Sequence, residues 1–219
     1  MTELRTDEEQ AEMLKRWWNE HGKSTLVSII VVAGGWMGWN FYQDQQQTTG
    51  ETASALYTTM TEKAAAAITT HDEAAQQEAV VLAEKLKNDF SGSSYSQFAS
   101  LFLARFAADN GDMNSAADEL RVLVDSAEAP VKYLATARLA DVLVELNDPD
   151  AALALVNEVP DPAYAPQYLE ARGDALFRKG DKAAARTAYL EALDAASELG
   201  VDTQLLQRKA DFLIAAEDA

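Results

Sequence analysis

The stretch that decides the fold is Leu169–Leu193, which reads LEARGDALFRKGDKAAARTAYLEAL. On both sides of Gly180-Asp181, alanine and leucine recur near the 3.6-residue spacing of a helix, and no alternation typical of a strand is present. Glycine adopts the left-handed conformation that closes one helix, and the Asp181 carboxylate can cap the next. The stretch therefore predicts two helices joined by a tight turn, with the pair Ala184-Ala185 allowing close packing.

The same turn occurs three times in the chain. Gly111-Asp112, Asn147-Asp148 and Gly180-Asp181 follow one another at spacings of 36 and 33 residues, each ahead of an alanine pair. A helix–turn–helix unit with a period near 34 residues is typical of tetratricopeptide-type repeats. The sequence predicts an all-α fold with a right-handed helical repeat domain, and a plain helical bundle is the alternative.

The last repeat is the most similar to the tetratricopeptide pattern. Gly173, Ala185, Tyr189 and Ala192 stand at its Gly, Ala, aromatic and Ala positions. The earlier repeats fill these positions with small or aliphatic residues: Ala140, Ala152, Val156 and Val159 in the middle one, and Ala104, Ala116, Leu120 and Leu123 in the first.

Periodicity and turn residues together predict nine helices. They are expected at Ala53–Thr70, Asp72–Asn88, Ser94–Asn110, Met113–Asp125, Val131–Asn147, Pro149–Asn157, Tyr164–Lys179, Lys182–Glu198 and Thr203–Ala215. The last of them is interpreted as a capping helix, because the ends of a stack of repeats need one. The first two can form a further, divergent pair.

A run of nineteen residues without charge, Ser24–Tyr42, lies ahead of the repeats. As a helix it covers about 28 Å, close to the ~30 Å hydrocarbon core of a bilayer. Aromatic residues that favour the membrane interface flank or end it: Trp17, Trp18, Trp36, Trp39 and Tyr42. We interpret the run as an uncleaved anchor, because a signal peptide needs small residues where this run is bulky. A buried core helix is the weaker alternative.

Basic residues give the anchor a direction. Arg5, Lys15, Arg16 and Lys23 precede it, whereas the first basic residue after it is Lys63. Lys and Arg are retained on the cytoplasmic side, so we expect the N-terminus inside and the repeats outside. The predicted segments are a cytoplasmic leader (1–23), the anchor (24–42), a linker that can be helical (43–52) and the repeat domain with its capping helix (53–219).

Two local features of the N-terminal segments carry further expectations. The leader is predicted to form a short amphipathic helix that begins with a capping box, Thr6 to Glu9, and ends at Gly22 in a left-handed cap. Within the anchor, the spacing of Gly34 and Gly38 can let two membrane helices pair into a homodimer.

Composition argues against several classes of function. The chain has 36 acidic and 18 basic residues, a net charge of −18, so nucleic acid is not an expected partner. It has no cysteine, which removes thiol nucleophiles and thiolate ligands, and its two histidines, His21 and His71, lie apart. We expect no enzymatic activity, no metal site and no cofactor.

Stacked repeats present a concave face formed by the first helix of each pair, and this face is the predicted site of partner binding. Its candidate residues are Phe98, Leu101, Arg105, Leu134, Ala137, Asp141, Gln167, Glu170, Asp174 and Phe177. Apolar members can instead serve packing between repeats. Carboxylates on the face favour basic partners.

The layout as a whole resembles the YfgM family of ancillary SecYEG translocon subunits. The residues that carry the resemblance are Lys15–Lys23, Gly38–Tyr42, Leu169–Leu176, Lys179-Gly180-Asp181 and Leu206–Ala210. The resemblance implies a single-pass protein of the bacterial inner membrane with a periplasmic repeat domain. It also implies association with SecYEG and the membrane-anchored chaperone PpiD, and the transfer of unfolded secretory clients to periplasmic chaperones. The alternative is a scaffold that organises an envelope complex without touching clients.

Overall fold

The structure, a computed structural model, describes residues 7–70 and 72–217, with side chains for 9–70 and 72–213. Its helices are α1 (Asp7–Thr70), α2 (Glu73–Asp89), α3 (Ser94–Asp109), α4 (Met113–Ser126), α5 (Val131–Glu145), α6 (Pro149–Leu155), α7 (Ala165–Arg178), α8 (Lys182–Leu199) and α9 (Gln204–Glu217). A single 3-10 turn, Pro162–Tyr164, precedes α7. No strand occurs among the described residues, so the all-α prediction is confirmed.

The chain divides into two compact units, one up to Thr52 and one from Ala53 onward. The first unit consists of α1 alone over its described length. Between Ser24 and Tyr42 no residue is buried by the rest of the chain. This part of α1 is long and apolar enough to cross a membrane, which agrees with the predicted anchor.

Polar side chains of the apolar run bond to the helix itself. The hydroxyls of Thr25 and Ser28 donate to the carbonyls of His21 and Ser24, each at 3.0 Å. Such bonds satisfy hydroxyl groups that find no water inside a bilayer.

The predicted end of the leader helix at Gly22 is wrong, because α1 continues through it without interruption. A Cβ atom at Gly22 would lie 3.1 Å from the Trp18 ring, so the glycine makes room for the indole one turn earlier. A glycine inside a helix costs only about 1 kcal/mol, which does not end a helix this long. The predicted N-cap Thr6 and the predicted turn residue His71 lie outside the described residues.

In the second unit, α3–α4, α5–α6 and α7–α8 form three consecutive helix pairs. The predicted start of a helix at Ala53 is wrong, because α1 runs on without a break from the anchor. The other predicted helix bounds agree with the observed ones to within two residues, so the helical repeat interpretation is confirmed. Ahead of them, Ala53 and Met60 of α1 are buried together with Leu86 of α2 and Ala99 of α3. The ring of Tyr57 packs 5.4 Å from that of Tyr95.

All three predicted turns are observed. The φ angles are +80° at Gly111, +62° at Asn147 and +87° at Gly180. The aspartate that follows each of them accepts a hydrogen bond from the first turn of the next helix, as the N-cap interpretation requires. These local signals set where α4, α6 and α8 begin.

Small residues bring the paired helices close together. The alanines and aliphatic residues at the repeat positions are buried, with Val159 only partly so. Gly173 of α7 faces Tyr189 of α8, and a Cβ atom there would lie 2.4 Å from the Tyr189 Cε1. Only glycine fits at this contact, which explains the glycine of the last repeat.

The terminal helix α9 packs against α8 at the C-terminal end of the repeats. Leu206, Ala210 and Leu213 are buried in a cluster with Ala185 and Tyr189 of α8. The opposite side of α9 leaves Phe212 largely exposed, where its ring meets that of Phe177 edge-on at 6.2 Å.

Candidate protein-binding groove

A groove of about 1230 Å³ runs along the repeat domain. Its walls come mainly from α3, α5 and α7, the first helices of the three pairs, with contributions from α4 and α9. Its apolar surface includes Leu101, Leu134, Val142 and Phe177. The groove therefore lies on the face that the repeat register predicts.

Sequence register explains why charged side chains enter the groove at regular positions. Ala104, Ala140 and Gly173 are buried small residues of α3, α5 and α7. The residue after each of them, Arg105, Asp141 or Asp174, lines the groove.

The structure brings six of the ten predicted face residues together in the groove: Leu101, Arg105, Leu134, Asp141, Asp174 and Phe177. Phe98 instead packs against Tyr57 at 5.9 Å between ring centroids. Glu170 is half-buried and binds Lys209, whereas Gln167 is exposed and does not line the groove.

The assignment of Ala137 to this face was wrong. The residue is 2% exposed and belongs to the largest core cluster, because its methyl side chain does not extend past the packed helices.

Each carboxylate that lines the groove has a basic partner, which the sequence did not predict. Asp109 Oδ2 lies 3.5 Å from Arg105 Nε, and Asp141 Oδ2 lies 3.8 Å from an Arg138 guanidinium nitrogen. The corresponding distance from Glu145 to Arg178 is 3.7 Å. The preference of these carboxylates for a basic partner stays a prediction, and each of them already has a basic neighbour within the chain.

The fourth pair, Lys209 with Asp174, is the centre of a hydrogen-bonded cluster where α9 meets α7. Lys209 Nζ donates to Glu170 Oε1 at 2.8 Å and to Asp174 Oδ2 at 2.7 Å. The Tyr189 hydroxyl donates to Asp174 Oδ1, also at 2.7 Å. The ammonium lies 5.7 Å from the centroid of the Tyr189 ring, within reach of a cation–π contact.

Burial and pairing set the ionisation of this cluster. Burial lowers the pKa of Lys209, but its hydrogen bonds to Asp174 and Glu170 outweigh that effect, so the net shift is upward and the ammonium stays charged. Burial, followed by the bond to Asp174, raises the pKa of Tyr189, which stays a hydrogen-bond donor.

Asp141 is the groove carboxylate whose ionisation is most altered. Burial within the groove raises its pKa to about 7, although 41% of its side chain remains exposed to solvent. Arg138 and Lys209 act in the opposite direction, while the charges of Asp174 and Glu170 add to the increase. Asp141 is therefore partly protonated near neutral pH.

Five charged groove residues were missed by the sequence reasoning: Arg138, Asp109, Glu145, Arg178 and Lys209. The i,i+3 spacing of Arg138 and Asp141 is a local signal that could have found the first of them. Lys209 gives no local signal, because it meets Asp174 only through the packing of α9 across 35 residues of sequence.

Comparisons with known proteins extend over nearly the whole chain. The family model of a tetratricopeptide repeat-like domain matches residues 15–215. A protein of Escherichia coli (strain K12) is 31% identical over 84% of this chain and 85% of its own length. Similar proteins of Haemophilus influenzae and Neisseria gonorrhoeae are each 29% identical, covering 88% and 94% of this chain and 91% and 97% of their own lengths. All three are named ancillary SecYEG translocon subunit, and no solved structure matches the chain.

Proposed function

The chain belongs to the YfgM family of ancillary SecYEG translocon subunits, and we propose that it is a membrane-tethered adaptor at the Sec translocon. In this role it receives newly exported proteins and helps to hand them to periplasmic chaperones. The observation that carries the proposal is the groove of about 1230 Å³ along the repeat domain. That volume exceeds the ~300–1,000 Å³ typical of small-molecule sites, and it suits a segment of polypeptide.

The proposed topology places the groove where exported proteins emerge. Residues 24–42 span the inner membrane, the leader 1–23 stays in the cytoplasm, and residues 43–52 link the anchor to the periplasmic repeat domain, 53–219. The basic residues Lys15, Arg16 and Lys23 ahead of the anchor support this direction. The linker is helical in the structure, since α1 runs through it without a break to Thr70.

The proposed partners are SecYEG, the membrane-anchored chaperone PpiD and unfolded secretory clients. Association with SecYEG is supported by the names of the relatives, and PpiD by the family resemblance. We also propose that the anchor can pair with a second copy through Gly34 and Gly38, where an added Cβ atom would meet nothing within 4 Å.

Photocrosslinking in cells tests whether the groove contacts clients. A photoreactive residue is placed at Leu134 or Phe177 in the groove, and at Val122 as a control that is exposed on α4 and does not line the groove. The adaptor role predicts crosslinks to newly made secretory proteins from the two groove positions and none from Val122. Crosslinks to stable membrane subunits alone would favour the scaffold and contradict the adaptor.

A further inference from the structure

The groove differs in charge from the domain around it. From residue 53 onward the chain has 28 acidic and 14 basic residues, so the domain as a whole is strongly acidic. The groove, in contrast, is lined by four acidic and four basic residues. Counted with all of its carboxylates ionised, the groove has a formal charge of zero, in a domain that has twice as many acids as bases.

Each acidic residue of the groove is paired with a basic one, and two of the four pairs, Arg105 with Asp109 and Arg138 with Asp141, each lie within one helix. The other two pairs, Arg178 with Glu145 and Lys209 with Asp174, join different helices across the groove wall. Lys209 also donates a hydrogen bond to Glu170. Asp174 accepts hydrogen bonds at both of its oxygens, from Lys209 and from the Tyr189 hydroxyl. A charged occupant would have to compete with these existing partners, because each carboxylate already has a cation beside it.

Between the pairs, the groove offers apolar surface. Leu101, Leu134, Val142 and Phe177 line it, and Phe177 remains 41% exposed at one end. Covering such surface is favourable for an apolar occupant at any salt concentration, whereas attraction between exposed charges is screened by salt.

We infer that the groove binds uncharged, apolar segments of polypeptide and discriminates against segments that carry lysine or arginine. This selectivity rests on the proposed function, since it names the class of client that the same groove takes. It is opposite to the preference for basic partners that the acidic composition of the domain alone would predict.

Peptide binding to the full-length chain in detergent tests the selectivity. Three fluorescent peptides share a leucine- and alanine-rich segment: one without charge, one with three lysines interspersed, and one with three glutamates. We expect the uncharged peptide to bind about tenfold or more tightly than either charged one, because each charge must be desolvated beside groups that are already paired. Its affinity should not fall when the salt concentration is raised.

A pair of matched variants tests whether charge pairing is the cause. Arg178→Gln leaves Glu145 in the groove without its cation, whereas Arg121→Gln removes an equal charge from an exposed pair with Asp118 outside the groove. Arg178→Gln should shift the ratio of affinities several-fold towards the lysine peptide, because one carboxylate becomes available. Arg121→Gln should leave the ratio as it is in the unmodified chain.

The outcomes of these experiments distinguish failure of the proposed selectivity from failure of the proposed adaptor role. Equal or tighter binding of the lysine peptide would overturn the inference and would leave client binding in the groove intact. A shift of the same size in both variants would overturn it too, because net charge would then explain the preference. Failure of all three peptides to bind would also contradict the inference, while crosslinking from Leu134 and Phe177 in cells would still decide the adaptor role.

Discussion

The anchor and the last repeat place similar aromatic residues in opposite environments. In the anchor, Trp36 is 68% exposed, whereas in the last repeat Tyr189 is 3% exposed against Gly173. The anchor has no neighbour in its own unit to cover it, so its apolar surface depends on the surrounding solvent. The repeat covers its own apolar surface by bringing two helices close together. The apolar surface of the anchor suits a lipid environment, whereas the repeat is stable with its outer surface in water.

The two regions differ in how apolar residues are distributed around their helices. The anchor is apolar all round, which is typical of a membrane span, and the repeat domain confines its apolar residues to the sides where helices meet. The two regions also differ in charge. Residues 24–42 carry no charged side chain, whereas the charged side chains that line the groove of the repeat domain are paired with one another.

The largest effect is expected from one substitution made in both regions. Val32→Arg in the anchor should cost about 3 kcal/mol of insertion free energy, because the guanidinium would lie near the centre of a bilayer. Val122→Arg, at an exposed position of α4, should change stability by less than about 0.5 kcal/mol. The fraction of protein that resists alkaline extraction from membranes measures the first effect, and thermal unfolding of the repeat domain measures the second. Full membrane retention of Val32→Arg would argue against the anchor.

The next effect concerns the close contact within the last repeat. Gly173→Ala should destabilise the repeat domain by about 2–3 kcal/mol, because its Cβ atom would overlap the Tyr189 ring at 2.4 Å. Thermal unfolding followed by circular dichroism measures the loss. Gly50→Ala in α1 is the control, since a Cβ atom there meets nothing within 4 Å. Equal midpoints for both variants would show that α7 and α8 do not pack as described.

A smaller effect is expected from the paired charges of the repeat domain. Lys209→Met should lower its free energy of unfolding by about 1–2 kcal/mol, because Glu170 and Asp174 would lose their shared cation in a half-buried site. Lys179→Met, which removes an exposed pair with Asp150, should cost less than about 1 kcal/mol. Chemical denaturation of both variants measures the difference, and similar losses would mean that burial of the Lys209 cluster adds nothing.

The smallest effect is a dependence on pH, because 41% of the Asp141 side chain is exposed and solvent screens its charge. Asp141 has a folded-state pKa of about 7, raised by burial from an ordinary value of 3.8, so the folded chain holds a proton that the unfolded chain releases. Its contribution to stability is therefore present at low pH and is lost as the pH rises towards 7. The melting temperature of Asp141→Asn should rise relative to that of the unmodified chain between about pH 4 and pH 7 and then level off.

Asp118→Asn, at an exposed carboxylate outside the groove, is the control for that trend. A flat difference between Asp141→Asn and the unmodified chain across this range would contradict the upward shift at Asp141.

Sequence predicted those parts of the fold that have a local cause. Gly111, Asn147 and Gly180 mark the turns because each is tolerant of positive φ, and the aspartate after each caps a helix. The same rule failed at Gly22, where the glycine serves the Trp18 ring and not a helix end. A glycine can end a helix or make room for a large side chain, and only its neighbours in the structure show which role it has.

The groove could be predicted only in part. Repeat register placed Arg105, Asp141 and Asp174 in it, because they follow the small residues of the first helices. Register could not reveal the partners of these side chains, since Lys209 reaches Asp174 from a helix far along the chain. Two of the four charge pairs form only through tertiary packing, so the neutrality of the groove became visible only in the structure.

Thiol labelling tests most directly whether the leader and the repeat domain lie on different sides of one membrane. Because the chain has no cysteine, Val122→Cys in the repeat domain and Glu12→Cys in the leader each create a single reporter. Intact spheroplasts are treated with a membrane-impermeant maleimide, and lysed ones serve as the control. We expect labelling of Val122→Cys in intact spheroplasts and of Glu12→Cys only after lysis. Labelling of Glu12→Cys alone in intact spheroplasts would contradict it.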